Sequence, residues 1–462
     1  MRSFKRICVA LIVFTATSLW SQVDSSTSQS SSAQSGTTAA AQDADDRMQT
    51  PPPVSGQSYP SAPASQERSN YVRAGVVFTT AYSDNAVGAT ENGHPVSDIS
   101  YSVMPTIGLD ETTARLHFLL DYAPGFTFYQ KESSRNEADQ NASIDLQYRL
   151  SPHVTFSARD GFQKSSNVFN QPDPVTAGAV SGSTEGANFS VIPPIADRVA
   201  NSGNAGLSYQ FSLHSMIGAS GTFTNLHYPN PEEVPGLYDS STQAGSAFYS
   251  YRISRMHYIG ASYQYQRLMA YPTEGVSKTQ THAVLAFYTL YATSRLSFSV
   301  FGGPQYSDTI QPPQPPLNIP LPEAKAWTPA AGGSLSWQGR LNTFAVSYSH
   351  MISGGGGLSG AVHLDSATGS ISQRLTKSLN GSVSGGYAQN DLVGALVPGS
   401  ENGHSISGTV SLQQQLGQHL SAQAGYTRLH QSYGDVAVIS TAPNTNREFI
   451  SLSYQFARPL GR

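Results

Sequence analysis

A two-residue alternation near the end of the chain is the pattern that most restricts the fold of this sequence. Between Ile450 and Phe456 one parity is apolar throughout, and the other parity is polar. The apolar positions are Ile450, Leu452, Tyr454 and Phe456, and the polar positions are Ser451, Ser453 and Gln455. Successive side chains of a β-strand point to opposite faces, so the pattern predicts a strand between apolar surroundings and water. The rest of the chain must then supply strands that pair with this one.

The same alternation recurs in hairpins from Tyr71 to the end of the chain. In each unit an aromatic or apolar residue and a polar or basic residue precede a Ser- or Gly-rich turn, and a second alternating strand follows. The unit returns roughly every 40 residues, as in stacked hairpins, propeller blades or a closed barrel. Residues that mark the successive turns are Tyr148, Tyr209, Tyr251, Tyr288, Trp337, Arg374 and Leu416.

Two features favour a closed barrel over a soluble β-propeller. Each strand has one polar face throughout, whereas the stacked sheets of a propeller would bury both faces of their strands. The connections also alternate between short turns and long loops, which is the rule for outer-membrane barrels. The longer connections include Lys131–Gln140, Lys164–Ser202, Pro229–Thr242 and Ser307–Lys325.

We therefore predict an all-β fold, a transmembrane antiparallel up-and-down β-barrel of about 18 strands. The stretches Trp327–Gln338 and Ala367–Leu375 alternate most weakly, so about 16 strands is the alternative. Aromatic residues fall at two levels along the strands, and we expect them to form girdles at the two membrane interfaces. One level holds Tyr148, Tyr209, Tyr251, Tyr288 and Trp337, and the other holds Phe162, Tyr265, Tyr306, Tyr348, Tyr387 and Tyr426.

The N-terminal part of the chain differs in composition and predicts export. Three basic residues precede the short apolar run Ile7–Leu19, as in a secretory signal peptide, and the run is too short to span a bilayer. We assign residues 1–21 to the signal peptide, 22–70 to a disordered Ser/Gln/Pro-rich periplasmic segment and 71–462 to the barrel. Cys8, the only cysteine, lies in the signal, so we expect no disulfide in the mature chain.

Charge is sparse in this chain, since 12% of its 462 residues are charged. The signal peptide holds three of the 26 basic residues and none of the 30 acidic ones, which leaves the mature chain with a net charge of −7. This mild acidity argues against a nucleic-acid partner. Low charge with many Ser, Thr, Gln, Gly and Tyr residues is instead typical of a barrel with a neutral-polar interior.

Several short motifs mark the first strands of the barrel. They are Tyr82–Asn85, Pro105–Leu109, Leu120–Pro124 and Tyr129. In these residues the chain resembles the start of a family of porin-like bacterial outer-membrane β-barrel proteins. The aromatic-rich last strand is likewise similar to the strand with which such barrels commonly end. The resemblance implies a barrel in the outer membrane, and it brings no catalytic residues with it.

No arrangement of residues predicts catalysis. Ser349 and His350 are neighbours in a predicted strand and therefore point to opposite faces, which excludes a Ser-His pair. The glycine-rich stretch Gly354–Gly357 is not followed by the Lys-Ser or Lys-Thr of a phosphate-binding loop. The His residues show no metal-ligand spacing. We therefore expect no enzymatic activity, no metal site and no cofactor.

The polar parity of the strands predicts which side chains line the pore. The charged candidates are Asp121, Asp145, Arg149, Arg159 and Arg252. Sparse charges of both signs predict weak ion selectivity. Simple pairing of these charges inside a wet barrel is an equal alternative. Asp160 falls on the lipid parity unless a bulge relocates it.

The predicted function is a passive porin-like channel for small hydrophilic solutes in the cell outer membrane, with periplasmic termini and extracellular long loops. Two alternatives stay open: a plugged barrel with a structural or surface-binding role, and an export conduit for a secreted polysaccharide. The longest loop, Lys164–Ser202, would act as a constriction if it folds into the lumen. The expected partners are outer-membrane lipid, small solutes, and the barrel-assembly machinery through the C-terminal strand.

Overall fold

The computed structural model describes most of the predicted barrel. The described residues are 48, 70–86, 90–91, 94–165, 188, 190–192, 197–273, 275–313, 323–394, 402–433, 436, 439 and 443–459. The predicted signal peptide, residues 1–21, and almost all of the segment 22–70 lie outside them. Within the described ranges, no helix has the length and apolar character needed to cross a membrane.

One antiparallel sheet of 18 strands contains most of the described residues. We number its strands β1 to β18 in chain order. They are β1 (Tyr71–Ser83), β2 (Asp98–Thr112), β3 (Leu116–Tyr129), β4 (Glu137–Arg149), β5 (Val154–Ser165), β6 (Arg198–Gln210), β7 (Ser215–His227), β8 (Ser240–Arg252), β9 (His257–Ala270), β10 (Ser277–Thr293), β11 (Leu296–Ile310), β12 (Ala324–Gln338), β13 (Asn342–Ser353), β14 (Val362–Arg374), β15 (Leu379–Leu392), β16 (Gly403–Gln415), β17 (Leu420–Tyr433) and β18 (Asn444–Pro459). A small hairpin of Thr90–Glu91 with His94–Pro95 lies between β1 and β2, and 3-10 turns occupy Ser133–Arg135 and Pro231–Glu233.

The sheet closes into a barrel because its first and last strands pair. β1 runs antiparallel to β18 from the pair Tyr71–Pro459 to the pair Ser83–Arg447, and its other edge pairs with β2. Each of the strands β2 to β17 pairs with the strands numbered before and after it, so none of the 18 has a free edge. The predicted all-β up-and-down barrel of 18 strands is confirmed.

The 16-strand alternative is wrong, because both weakly alternating stretches form strands. Trp327–Gln338 lies within β12, and Ala367–Leu375 covers most of β14. Their outward positions include Ala331, Gly333 and Gly369, which blur the apolar parity in the sequence. Strand pairing uses backbone groups and does not need large side chains. β12 pairs with β11 from Ala324 to Trp337 and with β13 from Ala331 to Gln338, and β14 pairs with both of its neighbours along nearly its whole length.

Connections alternate in length around the barrel. Turns of two to four residues join β2 to β3 and each later pair of the same kind, and the other end carries connections of six residues or more. We call these the short-turn end and the long-loop end. Tyr71 and Pro459, the outer ends of β1 and β18, both lie at the short-turn end.

The apolar parity of the strands faces outward. In β18 the side chains of Ile450 and Phe456 are 67% and 49% exposed. Near the long-loop end an aromatic row crosses four neighbouring strands, each residue directly opposite the next. The row consists of Tyr265, His282, Tyr306 and Trp327, with successive ring centroids 5.1, 6.5 and 5.2 Å apart. Two of its members, Tyr265 and Tyr306, belong to the aromatic level that the sequence predicts for this end of the strands.

Asp160 lies on the outward face of β5. The register of β4 with β5 runs without a shift from Arg149–Thr155 to Gln140–Lys164, so no bulge turns Asp160 inward. Asn201 Nδ2 donates to both carboxylate oxygens, at 3.4 and 3.3 Å. A Cβ at Gly203 would lie 3.0 Å from Asp160 Oδ1, so the glycine leaves room for the carboxylate on the outer surface.

Candidate functional site

The wall formed by β1 to β5 holds two ion pairs on its inward face. Arg159 Nε lies 2.8 Å from Asp145 Oδ2, and the two residues are directly opposite across β4 and β5. The Nε–H does not point at that oxygen, so the contact is an ion pair without a hydrogen bond. Arg73 Nη2 lies 3.4 Å from Asp110 Oδ2 across β1 and β2. Opposite charges on neighbouring strands offset each other, so these four residues add no net charge to the wall.

Asp121 lies beside these pairs on β3. Gly108 is directly opposite on β2, and a Cβ there would be 2.6 Å from Asp121 Oδ1. The carboxylate therefore lies against the sheet, over a residue that has no side chain. Its charged neighbours are Arg73 and Asp110, the two residues of the second ion pair.

Arg149 and Arg252 lie at the short-turn end of the inward face. Arg149 is the last residue of β4 and is exposed, whereas Arg252 is the last residue of β8 and is 8% exposed. The structure thus brings Asp145 and Arg159 together, and it leaves these two arginines apart from that pair. For all five residues a role in lining a pore stays a prediction.

The pair of Arg73 with Asp110 was not predicted from the sequence. Both residues occupy positions whose side chains are predicted to point inward, and this alternation was the signal in the sequence that they share a face. Parity does not say which residues of two strands stand close together, because that depends on the register between the strands.

The wall formed by β8 to β13 departs from the predicted neutral-polar lining. Inward-facing Phe248, Leu285, Phe287, Phe301 and Met351 pack into an apolar cluster there. Leu285 is completely buried, and the two aromatic rings of β10 and β11 are at most 5% exposed. The lumen therefore has one wall with ion pairs and another with apolar side chains.

The aromatic rings of this wall lie over glycines of the neighbouring strands. Phe248, Phe287 and Phe301 are directly opposite glycines 218, 260 and 332, respectively. A Cβ at Gly332 would lie 2.5 Å from the ring of Phe301, and a Cβ at Gly260 would overlap the ring of Phe287. Because glycine has no side chain, each ring can lie flat on the backbone of the next strand.

The long-loop end of the lumen contains an apolar core, which we call the loop core. Its members from the strands are Ala200, Leu226, Val362, Leu364, Ala388, Leu392 and Tyr433, and those from the connections are Val191, Tyr228, Val234, Leu237, Leu358, Val436 and Ile439. Val191, Val234, Val362 and Ile439 have no exposed surface. Burial raises the pKa of Tyr228 to about 12, as expected where water is excluded. Four different connections meet in this core.

A short segment of the β5–β6 connection reaches the far side of the barrel. We call residues 188 and 190–192 the strap. Asn390, on β15, accepts from Asn188 Nδ2 at 2.7 Å and donates to Ser190 Oγ at 2.8 Å. Gln431, on β17, accepts from the backbone N–H of Ile192 at 2.9 Å and donates to its carbonyl oxygen at 2.6 Å.

The position of the strap shows that part of the predicted Lys164–Ser202 loop folds inward. In an 18-strand circle, β15 lies nearly opposite β5 and β6. The contacts with Asn390 and Gln431 therefore place the described strap at the long-loop end of the lumen, against the wall opposite β5 and β6. Residues 166–187, 189 and 193–196 of the loop lie outside the described residues.

Met48 lies inside the short-turn end of the lumen. It is 7% exposed and packs against Met216 and Tyr258 on the inward faces of β7 and β9. Its backbone N–H donates to Gln210 Oε1 at 3.1 Å. Met48 belongs to the segment 22–70, which was expected to be a disordered periplasmic segment, and its contacts place this one residue in the barrel.

No protein-family model matches the chain, and a search of curated proteins returns no match. Among solved structures, OccAB4 from Acinetobacter baumannii is similar over 85% of this chain and 99% of its own, at 10% identity and a TM-score of 0.39. The outer-membrane protein OpdK from Pseudomonas aeruginosa matches over 84% and 99%, at 10% identity and 0.38. The FrpB iron transporter from Neisseria meningitidis matches over 78% and 62%, at 8% identity and 0.36.

These likenesses are too low in identity and TM-score to inform the function of this chain. The fold is established by the strand pairing itself. The closed 18-strand barrel that the resemblance to porin-like proteins implied is confirmed by this pairing.

Proposed function

We propose that this chain is an outer-membrane channel for small hydrophilic solutes, with weak ion selectivity. The observation that carries the proposal is the closed 18-strand barrel, because barrels of roughly 16 to 18 strands are wide enough for an aqueous channel. Its strands have 12 to 17 residues, more than the roughly 9 to 11 that a tilted membrane strand needs. The apolar outward face with its aromatic row suits contact with lipid.

The proposed orientation follows from the two ends of the barrel. Short turns are periplasmic and long loops extracellular in outer-membrane barrels, so we assign the short-turn end to the periplasm. Both chain termini then lie in the periplasm, and β18 is the strand that the barrel-assembly machinery would read.

Weak selectivity is supported by the charge pairing on the β1–β5 wall. Each of the pairs Asp145–Arg159 and Arg73–Asp110 joins one cation to one anion. A pore selects ions by the net charge and width of its narrow part, and paired charges supply little net field.

Planar-bilayer recording on refolded residues 22–462 tests the proposal. We expect discrete conductance steps and a reversal potential close to zero under a salt gradient. A complete absence of steps from protein with heat-modifiable gel mobility would refute the channel and leave the barrel intact.

A second candidate function is a plugged barrel that acts at the cell surface through its loops, and the loop core favours it. Its buried side chains and the strap lie at the long-loop end of the lumen. Deletion of residues 167–200 separates the two candidates. Steps that appear or enlarge after the deletion would support a plug, whereas unchanged steps would support an open channel.

The proposal assigns no enzymatic activity to the chain. Ser349 Oγ lies 2.9 Å from Ser366 Oγ on the inward face, whereas His350 Nδ1 lies 2.9 Å from Asp365 Oδ1 on the outward face. Ser349 and His350 thus lie on opposite faces of β13 and cannot act together as a catalytic pair.

A further inference from the structure

Two cations project outward from neighbouring strands near the long-loop end. Arg267 on β9 shares its parity with Tyr263, which is 46% exposed, and Lys278 on β10 shares its parity with Val284, which is 56% exposed. Gln280 stands directly opposite Arg267 and is two residues from Lys278 on the same face. Such diagonal neighbours have backbones about 7–8 Å apart, within reach of one ligand for side chains of this length.

The position of the pair relative to the aromatic row sets its level in the membrane. Tyr265 and His282, two members of the row, are directly opposite each other on the same two strands. Arg267 lies two residues beyond Tyr265 toward the long-loop end, and Lys278 lies four residues beyond His282. Aromatic girdles mark the boundary of the lipid headgroups, so the two cations lie at headgroup level or just outside it.

Three acidic residues lie on or beside the adjoining strands, and each has a partner closer than Arg267 or Lys278. Lys325 Nζ lies 3.8 and 2.8 Å from the carboxylates of Asp308 on β11 and Glu323 just before β12. His227 Nδ1 lies 2.6 Å from the carboxylate of Asp239, just before β8. Neither Arg267 nor Lys278 forms an ion pair within the described part of the chain. Arg267 Nε is also buried and has no hydrogen-bond partner among the described residues.

We propose that Arg267 and Lys278 bind the phosphate headgroup of a lipid in the outer leaflet. The inference rests on the proposed outer-membrane location and orientation. Arginine offers a planar fork of N–H donors that fits phosphate oxygens, and lysine adds a compact positive charge. The amides of Gln243 and Gln280, which stand directly opposite Arg267 on its two sides, supply further donors on this face.

Lipid retention by the refolded protein tests the site. The probes are lipid A with its phosphates and the same lipid after enzymatic dephosphorylation, each titrated onto detergent-solubilised protein and quantified by native mass spectrometry. A cation near an anionic lipid surface contributes about fivefold in affinity, so R267Q/K278Q should bind the phosphorylated lipid about 25-fold more weakly than wild type. Both proteins should bind the dephosphorylated lipid equally.

The matched control is R255Q/R295Q, which removes two exposed cations from the short-turn end. It should retain phosphorylated lipid as the wild type does. Equal retention by R267Q/K278Q would overturn the proposal, and so would displacement of the lipid by millimolar inorganic phosphate, which would indicate a site for free anions. Heat-modifiable mobility and conductance, measured on the same samples, report separately on the barrel and the channel.

Discussion

At the scale of single residues, the packing of the inward face depends on glycines, which have no side chain. Five aromatic residues stand directly opposite glycines, on β8, β10, β11, β17 and β18. In each case a Cβ on the glycine would come within 2.5 Å of the ring or overlap it. The glycines therefore make room for the aromatic rings, and replacing one of them should lower the free energy of unfolding of the barrel.

Gly260→Ala should lower the free energy of unfolding of the barrel by about 1–3 kcal/mol, the usual cost of forcing a methyl group into a packed site. The new Cβ would overlap both the ring of Phe287 and the carbonyl oxygen of Tyr249. Urea-induced unfolding in lipid vesicles, followed by tryptophan fluorescence, measures the change. Gly369→Ala is the matched control, because its Cβ would meet nothing closer than the Ala345 carbonyl oxygen at 3.9 Å. Equal stability of the two variants would contradict the packing argument.

The ion pair of Asp145 with Arg159 makes a second prediction at this scale, which rests on the proposed channel. Arg159→Gln leaves the Asp145 carboxylate without its partner, so the lumen gains a net negative charge. We expect the reversal potential under a KCl gradient to shift toward cation selectivity. The double variant D145N/R159Q restores neutrality and should return the value to that of wild type. A single variant with unchanged selectivity would show that the pair lies away from the ion path.

At the scale of elements, the strap is held by few contacts that can be removed one at a time. Gln431→Ala deletes both hydrogen bonds to the backbone of Ile192 and leaves the N–H and the carbonyl oxygen of this half-buried residue without that partner. Lost bonds of this kind cost about 1–3 kcal/mol, so the strap should detach more often. Limited proteolysis should then cut the β5–β6 connection faster, and any conductance should rise. Gln423→Ala, in the same strand and with the same inward parity, should leave both readouts unchanged. Equal cleavage of the two variants would show that Gln431 does not hold the strap.

The elements also show how far the sequence could be interpreted without a structure. Period-two alternation predicted the strands and their faces, because successive residues of one strand alternate between the lumen and the outer surface. Even β12 and β14, the weakest, were recognised from their turns. The loop core could not be predicted, because Val191, Tyr228, Leu358 and Ile439 are far apart in sequence and meet through four separate connections. The apolar inner cluster was likewise missed, because Phe287 and Phe301 occupy the parity that elsewhere holds Ser and Thr.

At the scale of the whole molecule, the barrel depends on one seam between distant parts of the chain. β1 and β18 pair along all 13 residues of β1, and this pairing alone closes the circle. In the sequence, the alternation of apolar and polar residues extends only to Phe456. In the structure β18 continues to Pro459, so Ala457, Arg458 and Pro459 stand opposite Arg73, Val72 and Tyr71.

Truncation after Phe456 therefore removes the last three register pairs of the seam as well as residues 460–462. Insertion into the membrane should persist, because ten pairs from Ala74–Phe456 to Ser83–Arg447 remain. Each lost ladder bond contributes about 0.5–1.5 kcal/mol, so the truncated barrel should convert to its unfolded gel mobility at a lower temperature. Deletion of residues 460–462 alone leaves the seam intact and should not change that temperature. If truncated protein failed to insert in cells yet refolded normally in vesicles, the assembly machinery would be reading residues beyond Phe456.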